Sequence, residues 1–296
     1  MIVGTPPGTG LPSRAIEIVA SVAQHRALSE RQVREIHMPG VRKRWGQRIM
    51  ARLGEAGLLD HAQTSGAPQR LWFATEAGIR RAIEAGELHQ QPRLFSAAEV
   101  AGPLQAHTAD VNDAAIPFLV AARDRGDEFG PLSWHHEVPH PLSRARGQRR
   151  RTLFADAVLT YLRLTEDAVV IEQRFLELDR ATMSVDRLAA ELGRYARLFR
   201  AKGDGGLPVW RSRYPSFPPV LCILTGNQKT VTRAALERRR DTTIALLRTD
   251  PEFARTPDVK IRIGLAEDLR ERGPFAPIFA GPDEGAEAVN WLGRPA

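Results

Sequence analysis

The 296-residue chain has a single cysteine, Cys222, so an intrachain disulfide and a Cys-based zinc site are both excluded. Cys222 stands in the apolar run Pro219-Val220-Leu221-Cys222-Ile223-Leu224, which reads as a buried strand. A reactive thiol needs an accessible, electropositive setting, which such a run does not offer. No apolar stretch approaches the ~20 residues of a membrane span. The start lacks a charged region followed by an apolar one, so a cytoplasmic protein without a signal peptide is expected. The glycines and prolines between Gly4 and Gly10 are not followed by Gly-Lys-Ser/Thr, which excludes a phosphate loop and leaves residues 1–12 as a flexible lead. Internal repeats are absent. So is a basic amphipathic helix with a large apolar face, which makes an acidic membrane surface the weaker partner.

What is present is positive charge. Lys and Arg total 42 against 35 Asp and Glu, a formal net charge of +7, and Arg supplies most of it. Guanidinium groups fork onto phosphate oxygens, so a polyanion is the expected partner. The apolar fraction of 43% is that of a globular protein. The length suggests two domains, each long enough for an ordinary core.

The front third reads as helices and a hairpin. Ser13 caps a helix whose Ile16, Val19, Ala20, Val22 and Ala23 recur at helical spacing. Ser29 starts a second helix through Val33 and Ile36, which Pro39-Gly40 ends. A third helix runs from about Val41 to Ala56, with Trp45, Ile49, Leu53 and Ala56 on one side. Arg44, Arg48 and Arg52 form a neighbouring stripe, and Lys43 and Gln47 extend the polar side. After Gly57, Leu58-Leu59 and Leu71 to Ala74 read as paired strands around a polar loop, and a further helix begins near Thr75. Three helices and a hairpin is the winged-helix plan, in which the third helix enters the major groove. Residues 13–86 are therefore expected to bind double-stranded DNA through Lys43, Arg44, Gln47, Arg48, Arg52 and Arg70. The alternative is a solvated basic helix on a winged helix that binds protein.

Residues 87–103 read as a linker with a fragment of helix, and residues 104–250 as an α/β domain with a mixed sheet. The expected order is a helix from His107 to Arg125, strands at Trp134 to Val138, Leu153 to Leu164 and Ala168 to Asp179, and a helix from Val185 to Ala201. A strand at Val220 to Thr225, a basic helix from Thr230 to Arg240 and a strand at Thr243 to Leu247 complete it. The Arg-rich loop before Leu153 offers Arg149 and Arg150 to phosphate. The tail, residues 251–296, adds at most an edge strand at Val259 to Ile263. Glu177 and Asp179 share one strand face, and Asp156 lies in a second apolar run. Unpaired carboxylates are costly to bury, so these acids point either to a cation or to ordinary Arg pairs. His135, His136 and His140 do not form a zinc site, because adjacent residues on a strand face opposite ways. They also lack the arrangement of a tyrosine relaxase.

Taken in order, the winged helix, the His107-led helix, the Asp156-Ala157 strand, Phe175-Leu176-Glu177-Leu178-Asp179-Arg180, the Arg194-Tyr195 helix and the Pro219-Val220 strand carry a resemblance. The chain resembles the replication-relaxation family of actinobacterial plasmids and integrated mobile elements, over roughly residues 14–248. That resemblance implies a second domain similar to the PD-(D/E)xK nuclease fold, so the expected fold class is α/β, a winged helix followed by a nuclease-like mixed sheet. In that fold an Asp and a Glu hold Mg²⁺, which polarises phosphate and generates hydroxide from water. Asp156 and Glu177 match these positions. The nuclease pattern wants Lys two residues after the Glu, and this chain has Asp179, which can ligate a metal but brings no positive charge. Arg187 and Arg194 could stabilise charge without acting as a base. The implied catalytic and metal-binding set is Asp156, Glu177 and Asp179, with Mg²⁺ as cofactor if the site is active. Two readings follow. One is a DNA-binding protein acting in replication, relaxation or mobilisation with a nuclease-like scaffold, and the other is an active Mg²⁺-dependent endonuclease. Winged helices often dimerise, so a homodimer stays open, although no heptad run marks an interface.

Overall fold

The computed structural model describes residues 13–63, 70–102, 104–142, 152–203, 205–227, 230–285 and 287–295. The expected flexible lead, the tip of the hairpin, and Arg149 and Arg150 lie outside these residues. The chain divides between Ala109 and Asp110 into two compact units. Among the described residues no helix is long and apolar enough to cross a membrane.

The first unit runs α1 (Ser13–Gln24), β1 (Leu28–Ser29), α2 (Glu30–His37), α3 (Lys43–Glu55), β2 (Leu59–Gln63), β3 (Arg70–Ala74), α4 (Glu76–Glu84) and α5 (Ala97–Ala101). Its sheet has the order β1-β3-β2, antiparallel throughout, with Leu28 opposite Trp72 and Leu59 opposite Ala74. Helix–strand–helix–helix–hairpin with this strand order is the winged-helix arrangement. Local chemistry fixes the joints. Ser29 caps α2 by accepting from Gln32 N at 3.2 Å, while Gln32 Oε1 accepts from Ser29 N at 3.0 Å. This reciprocal box is worth on the order of 1 kcal/mol. The end of α3 is a left-handed turn at Gly57 (φ +69°), with Gly57 N donating to Gly54 O and Leu58 N to Leu53 O. Gly78 in α4 packs so closely on the Leu58 carbonyl that an added Cβ would stand 2.1 Å from its oxygen. Only glycine allows that approach. Ile18, Val19, Val22, Leu28, Val33, Ile36, Met50, Leu53 and Trp72 fill the core.

The second unit takes up within α6 (Leu104–Arg125) and continues with β4 (Trp134–Pro141), β5 (Thr152–Leu164), β6 (Val169–Asp179), α7 (Val185–Arg200), β7 (Val220–Leu224), α8 (Arg233–Thr249), α9 (Pro251–Ala254), β8 (Ile261–Leu265) and α10 (Ala266–Arg272). The five strands stand in chain order, antiparallel from β4 to β6 and parallel from β6 to β8. The mixed sheet expected from the strand–helix alternation is therefore present. On one face Phe175, Val220, Cys222 and Ile263 pack with Leu188, Leu192 and Tyr195 of α7 and with Ile244 and Leu247 of α8. The intervening residues of β6 face the other way. There Arg174 lies 4.8 Å from the Trp291 ring, within an aromatic cluster of Phe118, Tyr161, Phe275 and Trp291.

Three expectations need correction. Residues 243–247 form the end of α8 rather than a strand. Thr243, Ile244 and Leu247 are buried at helical spacing, and Thr243 Oγ1 donates back to Arg239 O at 2.8 Å. The tail is more than an edge. β8 is buried along its length, and Ile263 is bridged to Ala280, so chain beyond the sheet covers the strand. Lastly, the core side of α3 is Gly46, Met50 and Leu53, with Trp45 left 42% exposed and Ala56 also exposed.

Candidate nucleic-acid interface and acidic cluster

α3 presents one side to the core and the opposite side to solvent. With Gly46, Met50 and Leu53 inside, the 100° step per residue turns Arg44, Arg48 and Arg52 outward. All three are exposed, as is Lys43. Among the described residues none of these four side chains makes an ion pair or a side-chain hydrogen bond. Some other guanidinium groups of the chain are paired, as Arg31 is with Glu35 and Arg233 with Asp268. Gln47, expected as a DNA contact, donates to Glu30 Oε2 of α2 at 3.1 Å. Arg70 is exposed at the first position of β3, where the hairpin re-enters the sheet.

Beside this stripe lies a pocket of about 420 Å³ between α1 and α3. Ala15, Ile18, Trp45, Ile49 and Leu53 supply its apolar lining, and Arg14, Arg48 and Arg52 its charge.

In the second unit the three expected acids stand on one face of neighbouring strands, but each has its own partner. Asp156 of β5 accepts a hydrogen bond from Leu178 N at 2.8 Å. Glu177 is 8% exposed and accepts a short hydrogen bond from the Tyr195 hydroxyl of α7. Burial, reinforced by the negative charges of Asp156 and Glu191, raises its carboxyl well above the ordinary range. Burial and the adjacent Glu177 also raise the Tyr195 hydroxyl, so it stays a donor. Asp179 binds Arg239 of α8 through both oxygens, with Nη2 to Oδ1 at 3.0 Å. Arg194, expected as a substitute for the missing lysine, donates to Thr152 O at 3.0 Å, and its positive charge also acts on Glu177 and Glu191, as that of Arg187 does on Glu191. Glu191, one turn before Tyr195 on α7, is raised by burial and by Asp156, and it joins the cluster without having been expected. Its i, i+4 relation to Tyr195 is the signal that would have found it. Nothing local marks Arg239, which lies 60 residues beyond its partner.

This donor set does not fit Mg²⁺. Among the described residues no group of three or more His, Cys, Asp and Glu could hold a metal ion. The physical reasons are plain. Mg²⁺ asks for near-octahedral oxygen ligands, whereas both oxygens of Asp179 are taken by Arg239, Asp156 accepts from Leu178 N, and Glu177 is buried against the Tyr195 hydroxyl. The histidines are also spread out. His136 meets Asn112 at 2.9 Å and His140 meets the Tyr214 hydroxyl at 2.7 Å.

The raised Glu177 carboxyl has a measurable consequence. Its folded-state pKa stands above the ordinary 4.5, so the stability tied to its neutral form is complete below pH 4.5 and is lost as pH rises through the folded value. Gln keeps the acceptor for Tyr195 and cannot ionise. Glu177→Gln is therefore expected to match the natural chain in melting temperature near pH 4.5 and to exceed it increasingly in alkaline buffer. Parallel melting curves for the two proteins across that range would defeat this account of Glu177.

Comparison with known families settles the chain's relationship. The family model described as replication-relaxation matches residues 19–209, well over half of the chain. The chain belongs to the replication-relaxation family. In this replication-relaxation protein the match takes in the winged helix from the middle of α1 onward together with Asp156, Glu177, Asp179 and Tyr195, and it stops before β7, α8 and Arg239. Among solved structures, a MarR-family transcriptional regulator from Rhodococcus sp. RHA1 is 23% identical over 26% of this chain, with a TM-score of 0.23. The likeness spans 54% of that regulator, about half its length. ZitR, a zinc-responsive MarR family member of Lactococcus lactis, is 15% identical over 42% of this chain and 83% of its own, with a TM-score of 0.25. At these scores neither likeness bears on what the chain binds. Curated proteins give no match.

Proposed function

We propose that this replication-relaxation protein binds double-stranded DNA through α3, as part of the replication, relaxation or mobilisation of a plasmid or integrated mobile element. Its second unit then serves as a nuclease-like scaffold that does not cut. The observation carrying this reading is the stripe of Arg44, Arg48 and Arg52, unpaired among the described residues, on the solvent side of a winged helix's third helix. Three exposed guanidinium groups at i, i+4 and i+8 lie along one edge of a helix and suit the phosphates flanking a major groove. Arg70, exposed at the base of the hairpin, is a further cation for the DNA backbone. Binding of this kind releases counterions, so affinity should fall steeply with salt.

The alternative, hydrolysis by Asp156 and Glu177 with Mg²⁺, asks for free carboxylate oxygens, whereas Asp156 accepts from Leu178 N, Glu177 from the Tyr195 hydroxyl, and Asp179 is bound by Arg239. One experiment separates the two. Duplex DNA titrated with the protein at several salt concentrations should bind with a clearly negative salt slope, and supercoiled plasmid with Mg²⁺ should stay uncut. Nicking that disappears in both Asp156→Ala and Glu177→Ala would overturn the scaffold reading, and salt-independent binding would overturn DNA recognition by the stripe.

A further inference from the structure

The duplex-facing stripe does not account for the pocket beside it. We propose that the groove between α1 and α3 takes an unpaired nucleotide of DNA, its base against Trp45 and its phosphates on Arg14, Arg48 and Arg52. The inference rests on the DNA-binding reading above and deepens it: the protein would favour duplex that carries an unpaired base over fully paired duplex.

The composition of the groove points to this ligand. Its walls are apolar, and its charge is positive, from three guanidinium groups that pair with nothing else among the described residues. A nucleotide has the complementary make-up, a flat apolar-faced base on an anionic backbone. Its volume of about 420 Å³ falls within the about 300–1,000 Å³ range of pockets that bury a small ligand. Trp45 is 42% exposed, whereas Trp72, Trp134, Trp210 and Trp291 are 6% exposed or less. An exposed tryptophan among arginines is the stacking platform that single-stranded nucleic acid uses, whatever the base. Arg48 and Arg52 belong both to the groove and to the outward stripe, so a base leaving a bound duplex would find the groove next to it.

Two other occupants suit the groove less well. A second copy of the chain would bring the same three arginines against themselves, and like charges oppose such a two-fold contact. An acidic amphipathic helix would need apolar anchors over several turns. Here Trp45, Ile49 and Leu53 line only two turns of α3, and a groove of about 420 Å³ suits a nucleotide-sized group better than a helix several turns long.

The test uses the full chain, a blunt duplex, and the same duplex carrying a one-nucleotide bulge. The bulged duplex should bind more tightly, by about tenfold, as base–aromatic stacking implies. It should also shield Trp45, the accessible tryptophan, from acrylamide quenching, while the blunt duplex leaves quenching unchanged. Trp45→Ala should bring the bulged duplex down to the affinity of the blunt one without altering the latter, and Trp45→Phe, which keeps an aromatic face, should restore most of the preference. Equal affinity for the two duplexes in the natural chain would overturn the inference and leave duplex recognition standing. Absence of binding to either would overturn both. A Trp45 already shielded without DNA would place other protein, including residues 1–12 of the chain, in the groove and would also overturn it. Equal weakening of both duplexes in Trp45→Phe would count the same way, since a stacking role predicts rescue there.

Discussion

Replacing Arg44 and Arg48 together by Ala should weaken duplex binding at low salt by about two orders of magnitude and flatten its salt dependence. Both side chains are exposed on the outward side of α3 and neither has a protein partner among the described residues. Their free energy of interaction is thus available to DNA rather than held within the fold. A hydrogen bond to a charged group contributes about 1.5–3 kcal/mol, and about 1.4 kcal/mol is tenfold in affinity, so two contacts give about a hundredfold or more. Each neutralised phosphate contributes about 0.9 to the slope of log affinity against log salt, so the double variant should lose nearly 2 from that slope. Stability should change by no more than about 0.5 kcal/mol, since exposed groups without partners carry little of it. A full loss of folding in the variant would therefore contradict the placement of these residues. An unchanged slope with reduced affinity would mean that the two arginines act on something other than phosphate. Gln47→Ala offers a contrast: because Gln47 is already held by Glu30, its loss should cost far less.

Much of the winged-helix fold was legible in the sequence. The winged helix followed from helical spacing, the Ser29 cap, Gly57 and the two short apolar runs, all of which are short-range signals, and the fold uses each one locally. The face of α3 was less legible. Trp45 is the largest apolar residue on the helix, and periodicity assigns large apolar residues to the core, yet Gly46, Met50 and Leu53 hold that place. Trp72 crowds one part of that side, since an added Cβ on Gly54 would stand 3.3 Å from its ring, whereas one on Gly46 would make only ordinary contact with Met38 at 3.7 Å. The same limit operates in the second unit. The strands of the mixed sheet could be read from their runs, whereas residues 243–247 are β-branched and apolar enough to pass for a strand when the helix that contains them is cut at Arg240. The shared face of Glu177 and Asp179 followed from alternation along β6. What each acid meets there did not follow, because Tyr195 and Arg239 arrive from two different helices. A strand pattern says which way a side chain points but not what the fold will bring to it.

That last pair gives the largest expected effect on stability. Asp179 and Arg239 have side chains 1% and 10% exposed, and the guanidinium binds the carboxylate through both oxygens. Arg239→Ala leaves a buried carboxylate without its partner, and breaking such a pair costs about 3–5 kcal/mol. Against a total stability of about 5–15 kcal/mol this is a large share. For a unit of this size it corresponds to a fall of about 6–20 °C in melting temperature. The loss comes from the stranded charge rather than from the missing attraction, so removing both charges should recover most of it. The double variant Asp179→Asn with Arg239→Met is therefore expected to melt within a few degrees of the natural chain, about 2–4 °C per kcal/mol of residual cost. The sum of the two single effects should greatly exceed the double effect, as contacting residues require. The same variants decide whether Asp179 has a second life as a metal ligand. A ligand that binds only the folded state raises its stability by mass action, so Mg²⁺ should raise the melting temperature if these acids hold it. With Asp179 committed to Arg239, no such rise is expected in the natural chain. A rise that appeared on adding Mg²⁺ and vanished in Asp179→Asn would show the ion pair yielding to the metal, and the scaffold reading of the second unit would fall with it.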